Sequence, residues 1–539
     1  MEIRDEVPRD APGAREIGFS APERCNASDV LFANLAAGRG GRTAVTGPAG
    51  TRTYAELCAD AARWGNALLA LGLARGDRVL LFLDDTPAYP AAVFGAIRAG
   101  LVPILANTAT PPALLRYYLE DSGARAAAVE AAFADRFTAA ACAGTALEAL
   151  LVVGGEAAAE PGVPARAAAA LVAAASPDLA AADTHRDEMC FWMYSSGSTG
   201  RPKGVVHLQH DMAYTARSYA DRLLRLTPDD VCFSAPKIFF AYGFGNSLTF
   251  PFAAGASSVL LPGQPRPAAV FDAIRTFRPT VFFGLPTLYV ALAKAPEAAA
   301  ADLSSLRLSV SAAEILSAEV AQAWERLGGP PIVEGLGSTE VLHIYLSNEP
   351  GFRKSGSAGR RVPGYEVSLR GADGREVADG EEGVLWVRGD SNAPAYWNRP
   401  DKTAETMRAG GWISTGDRFV RDADGFHFFR GRADDLVKVS GQWVYPLEVE
   451  LCLAEHPTVR ECAVLAVELP DRRTTLRAWV VPETPPADPA AAVRDLQDHV
   501  KRALQPHKYP REVVFLDELP KTGTGKIDRQ ALRSGGGGA

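Results

Sequence analysis

The stretch TYAELCADAARWGNALLALGLARGDRVLLFLDDTPAYPAAVFGAIRAGLVPILA, residues 53–106, sets the fold class. Thr53, followed three residues later by Glu56, is a capping box in which each side chain satisfies an amide at the start of a helix. Leu57, Ala61, Trp64, Leu68 and Leu71 then recur at steps of four and three until Gly72, which gives that helix one apolar face. Gly76-Asp77 turns the chain into the apolar run 79–83, a second helical stretch covers 87–99, and 102–106 reads as another buried strand. Strands apolar on both sides, alternating with amphipathic helices, belong to a parallel sheet with helices on its faces.

Similar short apolar strands recur at 231–234, 281–283, 306–310 and 332–333, so the first two-thirds of the chain is α/β. From about residue 365 the texture changes to short strands, YEVSLR and VLWVR, around the glycine-rich DGREVADGEEG. After Gly431 a smaller unit is expected, with strands at 436–439, 462–467 and 476–481 and a helix at 446–455. The predicted architecture is a large, multi-subdomain N-terminal α/β domain over 1–432, followed by a small C-terminal α+β domain over 433–539.

At 539 residues, with 47% hydrophobic and 22% charged residues, the chain has the composition of an ordinary globular protein and not of a disordered one. The excess of 64 Asp+Glu over 56 Lys+Arg leaves a net charge of −8, which speaks against a surface that tracks nucleic acid. Seven scattered cysteines with no C-x-x-C pair predict neither a disulfide framework nor a zinc knuckle, and suit a reducing compartment. The amino-terminal MEIRDEVPRDAPG is acidic, and the alanine-rich region 125–183 is broken by charges, Gly and Pro. Neither a signal peptide nor a membrane span is read, and the expected location is the cytoplasm.

The segment YSSGSTGRPKGVVH, 194–207, follows the apolar run 189–193. A strand emptying into Ser195, Ser196, Gly197, Ser198, Thr199 and Gly200 gathers hydroxyls and unhindered amides, with Lys203 adding positive charge, and this suits a polyphosphate. It is not a Walker A loop. The near match TGTGKID at 522–528 fails as well, because Pro520 stands at the first glycine position and Ile527 at the Ser/Thr position.

Together with EGLGSTE (334–340), STGD (414–417), GRADDLVKVSGQWVYPLEVE (431–450) and PKTGTGKIDR (520–529), that segment resembles the adenylate-forming superfamily of acyl-CoA synthetases, peptide-synthetase adenylation domains and luciferases. Five short motifs in register across most of the chain make chance an implausible explanation. The resemblance implies two steps: a carboxylate attacks the α-phosphate of ATP to give acyl-adenylate and pyrophosphate, and a thiol then displaces AMP. It implies Thr339 as the α-phosphate contact, Glu340 as the Mg²⁺ ligand, Asp417 and Arg432 at the ribose, and Lys526 as the bridge between carboxylate and phosphate. Gly335, Leu336 and the SAAE segment, Ser311, Ala312, Ala313 and Glu314, are candidate adenine or substrate walls. Leu336 stands where many relatives carry an aromatic residue, so aliphatic packing on adenine is expected. In such enzymes the small domain swings after adenylation; Asp434 occupies the hinge position, and Lys438 and Gly441 lie on the segment that would then complete a thiol tunnel.

For the acid, KIFFAYGFGNS (237–247) sets Phe239, Phe240, Tyr242 and Phe244 among Ala241, Gly243 and Gly245; it reads either as the walls of a flat slot or as the start of a core helix. With GLGSTEVLHIYLSN (335–348) it resembles benzoate-CoA and hydroxybenzoate-CoA ligases, which implies a pocket from Ala241, Tyr242, Gly243, Gly284, His343 and Ile344. His343 is read equally well as a hydrogen-bonded packing histidine. No acidic residue in these stretches invites an amino group. The implied cosubstrates are an aromatic acid, ATP with Mg²⁺, and coenzyme A. The phosphopantetheine thiol of a separate acyl carrier protein is the alternative acceptor, and a luciferase-like oxygenase the remote one; monomer and homodimer are both open. His207 and His210 have a spacing that hints at metal binding but lack further ligands, and read as ordinary loop chemistry.

Overall fold

The computed structural model describes residues 12–155, 163–195, 201–314, 316–433, 437–439, 442–444, 446–468, 474–504, 508–521 and 527–534. Thr53 caps the helix Tyr54–Ala70 through the reciprocal box with Glu56, as the spacing predicts. The strands Arg78–Phe82 and Val102–Leu105 and the helix Ala88–Arg98 fall within a residue or so of their expected places.

These elements build two large sheets. The first has seven strands in the order Ala165–Ala167, Ala149–Val153, Ala126–Glu130, Arg78–Phe82, Val102–Leu105, Met189–Ser195 and Lys203–Leu208, all parallel except the last. The second has nine, with the parallel strands Ile332–Gly337, Leu308–Ser311, Val281–Gly284, Val231–Ser234, Ser257–Val259 and Thr43–Thr46 flanked by antiparallel edges. One continuous apolar core draws on both sheets and on the helices between them, including Leu57, Leu68, Leu81, Phe94, Phe191, Phe244 and Leu260. No helix among the described residues is long and apolar enough to cross a membrane, and all seven cysteines are free.

Grouped by contacts, the chain forms two compact units: Met1–Val367 with Trp386–Ser414 and Asp424–His427, and Ser368–Leu385 with Thr415–Ala423 and Phe428–Ala539. The division runs through the strands Glu366–Arg370, Glu382–Arg388 and Trp412–Arg421, so it is discontinuous in sequence. In the second unit, Val459–Glu468 pairs antiparallel with Thr474–Pro482, which pairs in parallel with Glu512–Phe515. The helices Pro446–Ala454 and Pro489–Ala503 supply Val449, Leu453, Leu496 and Val500 to its core.

In the first unit, helices Tyr54–Ala70 and Ala88–Arg98 touch backbone to backbone. A Cβ on Gly95 would stand 2.3 Å from the Ala61 carbonyl oxygen, and one on Gly65 would stand 2.6 Å from the Gly95 carbonyl oxygen. The neighbours are main chain and cannot rotate away. Gly95→Ala is therefore expected to lower the unfolding free energy by about 1–3 kcal/mol, read as an earlier urea midpoint; an unchanged midpoint would mean that the helices separate freely.

Candidate active site

Strand Met189–Ser195 carries Ser195 to its C-terminal end, and Lys203 opens the antiparallel return directly opposite. Ser196, Gly197, Ser198, Thr199 and Gly200, between them, lie outside the described residues. The return strand meets the segment 395–397: the Val206 amide donates to the Ala395 carbonyl and the Trp397 amide to the Gly204 carbonyl, while Trp397 stacks on Trp192 with centroids 4.6 Å apart. This places Tyr396 over the site. Its hydroxyl donates to Glu340 Oε1 at 2.8 Å, Ser195 Oγ donates to the same oxygen at 3.4 Å, and Lys203 Nζ lies 4.1 Å from the Tyr396 ring centroid.

Thr339 and Glu340 sit on the short turn Thr339–Val341 between strands Ile332–Gly337 and Ile344–Ser347. All three carbonyls of the turn are occupied. Thr339 accepts from His207 Nε2 at 2.8 Å, Glu340 from the Ala393 amide at 2.7 Å, and Val341 from Ser391 Oγ at 2.9 Å. Leu342 follows with φ +71, a conformation costly for a branched side chain that persists only where the surroundings impose it.

His210 lies in the turn between strand Lys203–Leu208 and helix Asp211–Thr215, as expected of a loop residue, whereas His207 does not. His207 lies on strand Lys203–Leu208 and is fully buried, with Nδ1 2.8 Å from Asp211 Oδ2. His210, also buried, has its ring nitrogens 2.8 and 2.9 Å from the carbonyl oxygens of Arg186 and Asp390. Among the described residues no group of three or more His, Cys, Asp or Glu is arranged to hold a metal ion. The spacing that hinted at a metal instead builds a buried hydrogen-bond network.

Of the expected nucleotide-binding residues, Ala312 is buried, Ala313 adopts φ +74, and Glu314 Oε2 accepts the Thr287 amide at 3.3 Å. Gly335 lets Ile344 pack close, since a Cβ there would meet Ile344 Cγ2 at 2.9 Å. Ile344 therefore faces the strand that carries Leu336, which pairs with Leu346. Two residues before Leu336, Glu334 accepts the Leu316 amide, and burial pushes its carboxyl up to about 7.

In the second unit, Arg432 Nη1 donates to Asp417 Oδ1 at 3.0 Å and to the Thr415 carbonyl at 2.9 Å. Gly416 has φ +73, and a Cβ there would stand 2.9 Å from Arg432 Nη2, so the glycine of STGD serves both the turn and the arginine. Lys438 is on strand Val437–Val439, its side chain outside the described residues. Asp434, Gly441 and Lys526 lie outside them as well.

The segment after Lys237 is helical. Residues Ala241–Phe244 continue through a π-helical stretch, Gly245–Thr249, into Phe250–Ala254, and such stretches often mark functional sites. Phe239 and Phe244 are buried in the apolar core. Tyr242 stays beside the His343 ring at 5.6 Å between centroids, with Phe250 at 4.4 Å and Tyr219 at 5.3 Å. Gly245 makes room for that imidazole, because a Cβ would meet His343 Cδ2 at 2.4 Å. Tyr242 also packs edge-on against Phe283, the residue before Gly284, while Gly243 is fitted against the Lys237 carbonyl. Ala241 is buried on the same turn. His343 Nε2 lies 3.2 Å from Asn246 Oδ1. Tyr242 Oη, His343 Nδ1, Asn246 Nδ2 and Ser247 Oγ are buried with no hydrogen bond of ordinary geometry among the described residues.

Sequence reasoning missed Tyr396, Ser391, Asn246 and the contact of His207 with the Thr339 carbonyl. Only His207 carried a signal, as a histidine closing the glycine-rich motif.

Residues 32–397 match the family described as AMP-binding enzyme, and residues 448–526 its C-terminal domain; the chain belongs to the AMP-binding enzyme family. It is 44% identical over 516 residues to benzoate–CoA ligase of Thauera aromatica, covering 95% of this chain and 96% of that one. Its fold matches the crystal structure of an anthranilate CoA ligase in complex with anthranoyl-AMP (TM-score 0.89, 37% identity, 96% and 98% of the two chains). It also matches a benzoate CoA ligase from Burkholderia xenovorans (TM-score 0.85, 40% identity, 94% and 100%).

Burial holds the His343 imidazole down to about 3. Because the unfolded chain binds a proton near pH 6.5 and the folded one does not until about pH 3, this residue removes stability as pH falls through that window. The stability difference between the protein and His343→Phe is expected to shift by about 1.4 kcal/mol per unit between pH 6 and 4, against the histidine. Urea titrations at three pH values check it, and parallel pH curves would contradict the buried neutral state.

Proposed function

We propose that this protein is an ATP-dependent, AMP-forming aryl-acid:coenzyme A ligase whose acid is benzoate or a small substituted benzoate. The observation that carries the reading is the ring of neutral side chains, Tyr219, Tyr242, Phe250 and Asn246, around an imidazole that burial keeps uncharged. That cluster stands against the same strand pair that carries Thr339 and Glu340. It suits a flat apolar ring and offers no carboxylate to the ammonium group of an amino acid. Identity to a benzoate–CoA ligase along nearly the whole chain supports the same acid.

A carboxylate and a triphosphate repel each other, so the first step needs donors and cations fixed where charge develops. In our reading the Thr339 hydroxyl contacts the α-phosphate, Ser195 to Gly200 and Lys203 embrace the outer phosphates, and Lys526 bridges carboxylate and phosphate. Ala312, Ala313, Glu314, Gly335 and Leu336 bound the adenine. Asp417, aligned by Arg432, accepts the ribose hydroxyls. Glu340 is a single part-exposed carboxylate oriented by two hydroxyls, a donor set that fits Mg²⁺, which takes few protein carboxylates beside phosphate oxygens and water. Magnesium would neutralise phosphate charge there.

For the second step we assign a mobile body to 433–539 and the stationary one to 1–432, with Asp434 as hinge and Lys438 and Gly441 on the thiol side. Coenzyme A is the acceptor in this reading, and a carrier-protein thiol is the outcome that would replace it.

Pyrophosphate release across benzoate, hydroxybenzoates, aminobenzoates, cinnamate, hexanoate and phenylalanine, with and without coenzyme A, tests the proposal. A benzoate-type signal ending in aryl-CoA is expected, and Lys526→Ala should slow adenylation about 100- to 1,000-fold while sparing thioester formation from supplied aryl-adenylate. Preferred turnover of hexanoate or phenylalanine would overturn the aromatic reading. Tyr396→Phe, which frees the Glu340 carboxylate from its 2.8 Å bond, is expected to slow pyrophosphate release about 10-fold and to raise the Mg²⁺ concentration needed for half-maximal rate. An unaltered Mg²⁺ dependence would separate Tyr396 from the site.

A further inference from the structure

The turn that carries Thr339 and Glu340 is gripped from behind by a pair of side chains with no part in the chemistry above. His207 Nε2 lies 2.8 Å from the Thr339 carbonyl oxygen, an atom that only accepts, so Nε2 bears a proton. On the far side of the ring, Nδ1 is 2.8 Å from Asp211 Oδ2, and the same oxygen accepts the Leu208 amide at 3.0 Å. Both residues are at 0% exposure, and the imidazole lies nearly parallel to Phe191, 5.3 Å between centroids. The ring can neither turn over nor slide: its face is packed, one edge is pinned by a carboxylate, and the other edge holds the peptide that joins Thr339 to Glu340.

A second imidazole stands beside Asp211 without a hydrogen bond to it. Asp211 Oδ1 is 3.4 Å from His210 Nε2, and His210 reaches the carbonyl of Asp390 at 2.9 Å. The next residues, Ser391 and Ala393, bind the carbonyls of Val341 and Glu340. The buried carboxylate thus aligns His207, while His210 holds the Asp390 carbonyl at the start of the segment whose Ser391 and Ala393 bind the Thr339–Val341 turn.

We propose that His207, oriented by Asp211, is a positioning residue for adenylation: it fixes the Thr339–Glu340 peptide so that the Thr339 hydroxyl and the Glu340 carboxylate meet the α-phosphate and its cation in register. The inference rests on the roles assigned to Thr339 and Glu340 under the proposed function. Displacing such groups by about 1 Å costs on the order of 100-fold, and losing a partner behind a ligand residue typically costs about 10- to 100-fold.

The test uses His207→Phe, which keeps a ring against Phe191 but has no N–H, His207→Gln, which restores one amide donor, and Asp211→Asn. Thr339→Ala and Glu340→Gln run in parallel. Two half-reactions are measured, pyrophosphate release from acid and ATP, and coenzyme A-dependent consumption of supplied benzoyl-adenylate. Calorimetry gives the affinity for a non-hydrolysable aryl sulfamoyl adenosine, a metal-free mimic of the adenylate.

His207→Phe is expected to slow pyrophosphate release about 10- to 100-fold and to weaken the mimic about 10-fold. The second half-reaction should stay within about 2-fold, with part of the loss recovered in His207→Gln, and Asp211→Asn should follow His207→Phe in direction. Unchanged pyrophosphate release, or equal losses in both half-reactions, would overturn the positioning role and leave His207 a packing residue. If Thr339→Ala and Glu340→Gln are slow while the His207 variants are not, only this inference fails. If they too leave adenylation intact, the reading of the turn itself fails, and the inference falls with it.

Discussion

A three-residue turn with every carbonyl engaged is the constraint around which the first unit of this protein is arranged. Thr339, Glu340 and Val341 each give up their carbonyl to a donor from elsewhere in the chain, His207, Ala393 and Ser391. Backbone groups in a short turn have few partners of their own, and leaving them unpaired away from water is costly. Here they are satisfied by long-range bonds, so the place of the turn is set by the first sheet and by the segment 390–397. The side chains that leave it, Thr339 and Glu340, inherit that rigidity. The positive φ of Leu342 is sustained by the same bonds.

Three ionisable groups shifted by burial differ in their partners. Asp85 and Glu130, near Lys237 at the base of the helix that bears Tyr242, are pushed up to about 7, chiefly by burial, with the Lys237 ammonium pulling Asp85 back down. Lys237 Nζ is held by Asp84 Oδ1 at 2.9 Å and by the Leu261 carbonyl at 2.6 Å. That cluster anchors the start of the KIFFAYG segment from beneath. Around the His343 ring the partners are uncharged, which keeps the imidazole neutral. Charge is thus gathered around Lys237, and the surroundings of the His343 ring are left uncharged.

Much of the fold was legible because its signals are local. The Thr53–Glu56 box, the apolar stripe from Leu57 to Leu68 and the runs that become strands are read within a window shorter than 20 residues. The segment 237–254 was ambiguous for a physical reason: aromatics interleaved with glycines suit both a slot wall and a helix packed at close range. The structure shows the helix, burying Phe239 and Phe244 in the core and packing Tyr242 beside His343. Tyr396 and His207 could not be placed from sequence, because their partners lie 56 and 132 residues away. Their roles come from strand pairing, which puts 395–397 and 203–208 side by side. Even so, His207 closes the glycine-rich motif and Asp211 follows at a four-residue step, a pairing open to inspection once the strand end at Leu208 is known.

The stacked indoles of Trp192 and Trp397 have a use beyond packing. Two indoles in van der Waals range at a 24° interplanar angle form a coupled chromophore, whose near-ultraviolet circular dichroism depends on their mutual orientation and fades when they part. One of them belongs to the last parallel strand of the seven-stranded sheet and the other adjoins Tyr396, whose hydroxyl donates to Glu340. The protein therefore contains an optical gauge of whether the segment 395–397 is seated on its neighbouring strand, legible without a label, a ligand or turnover.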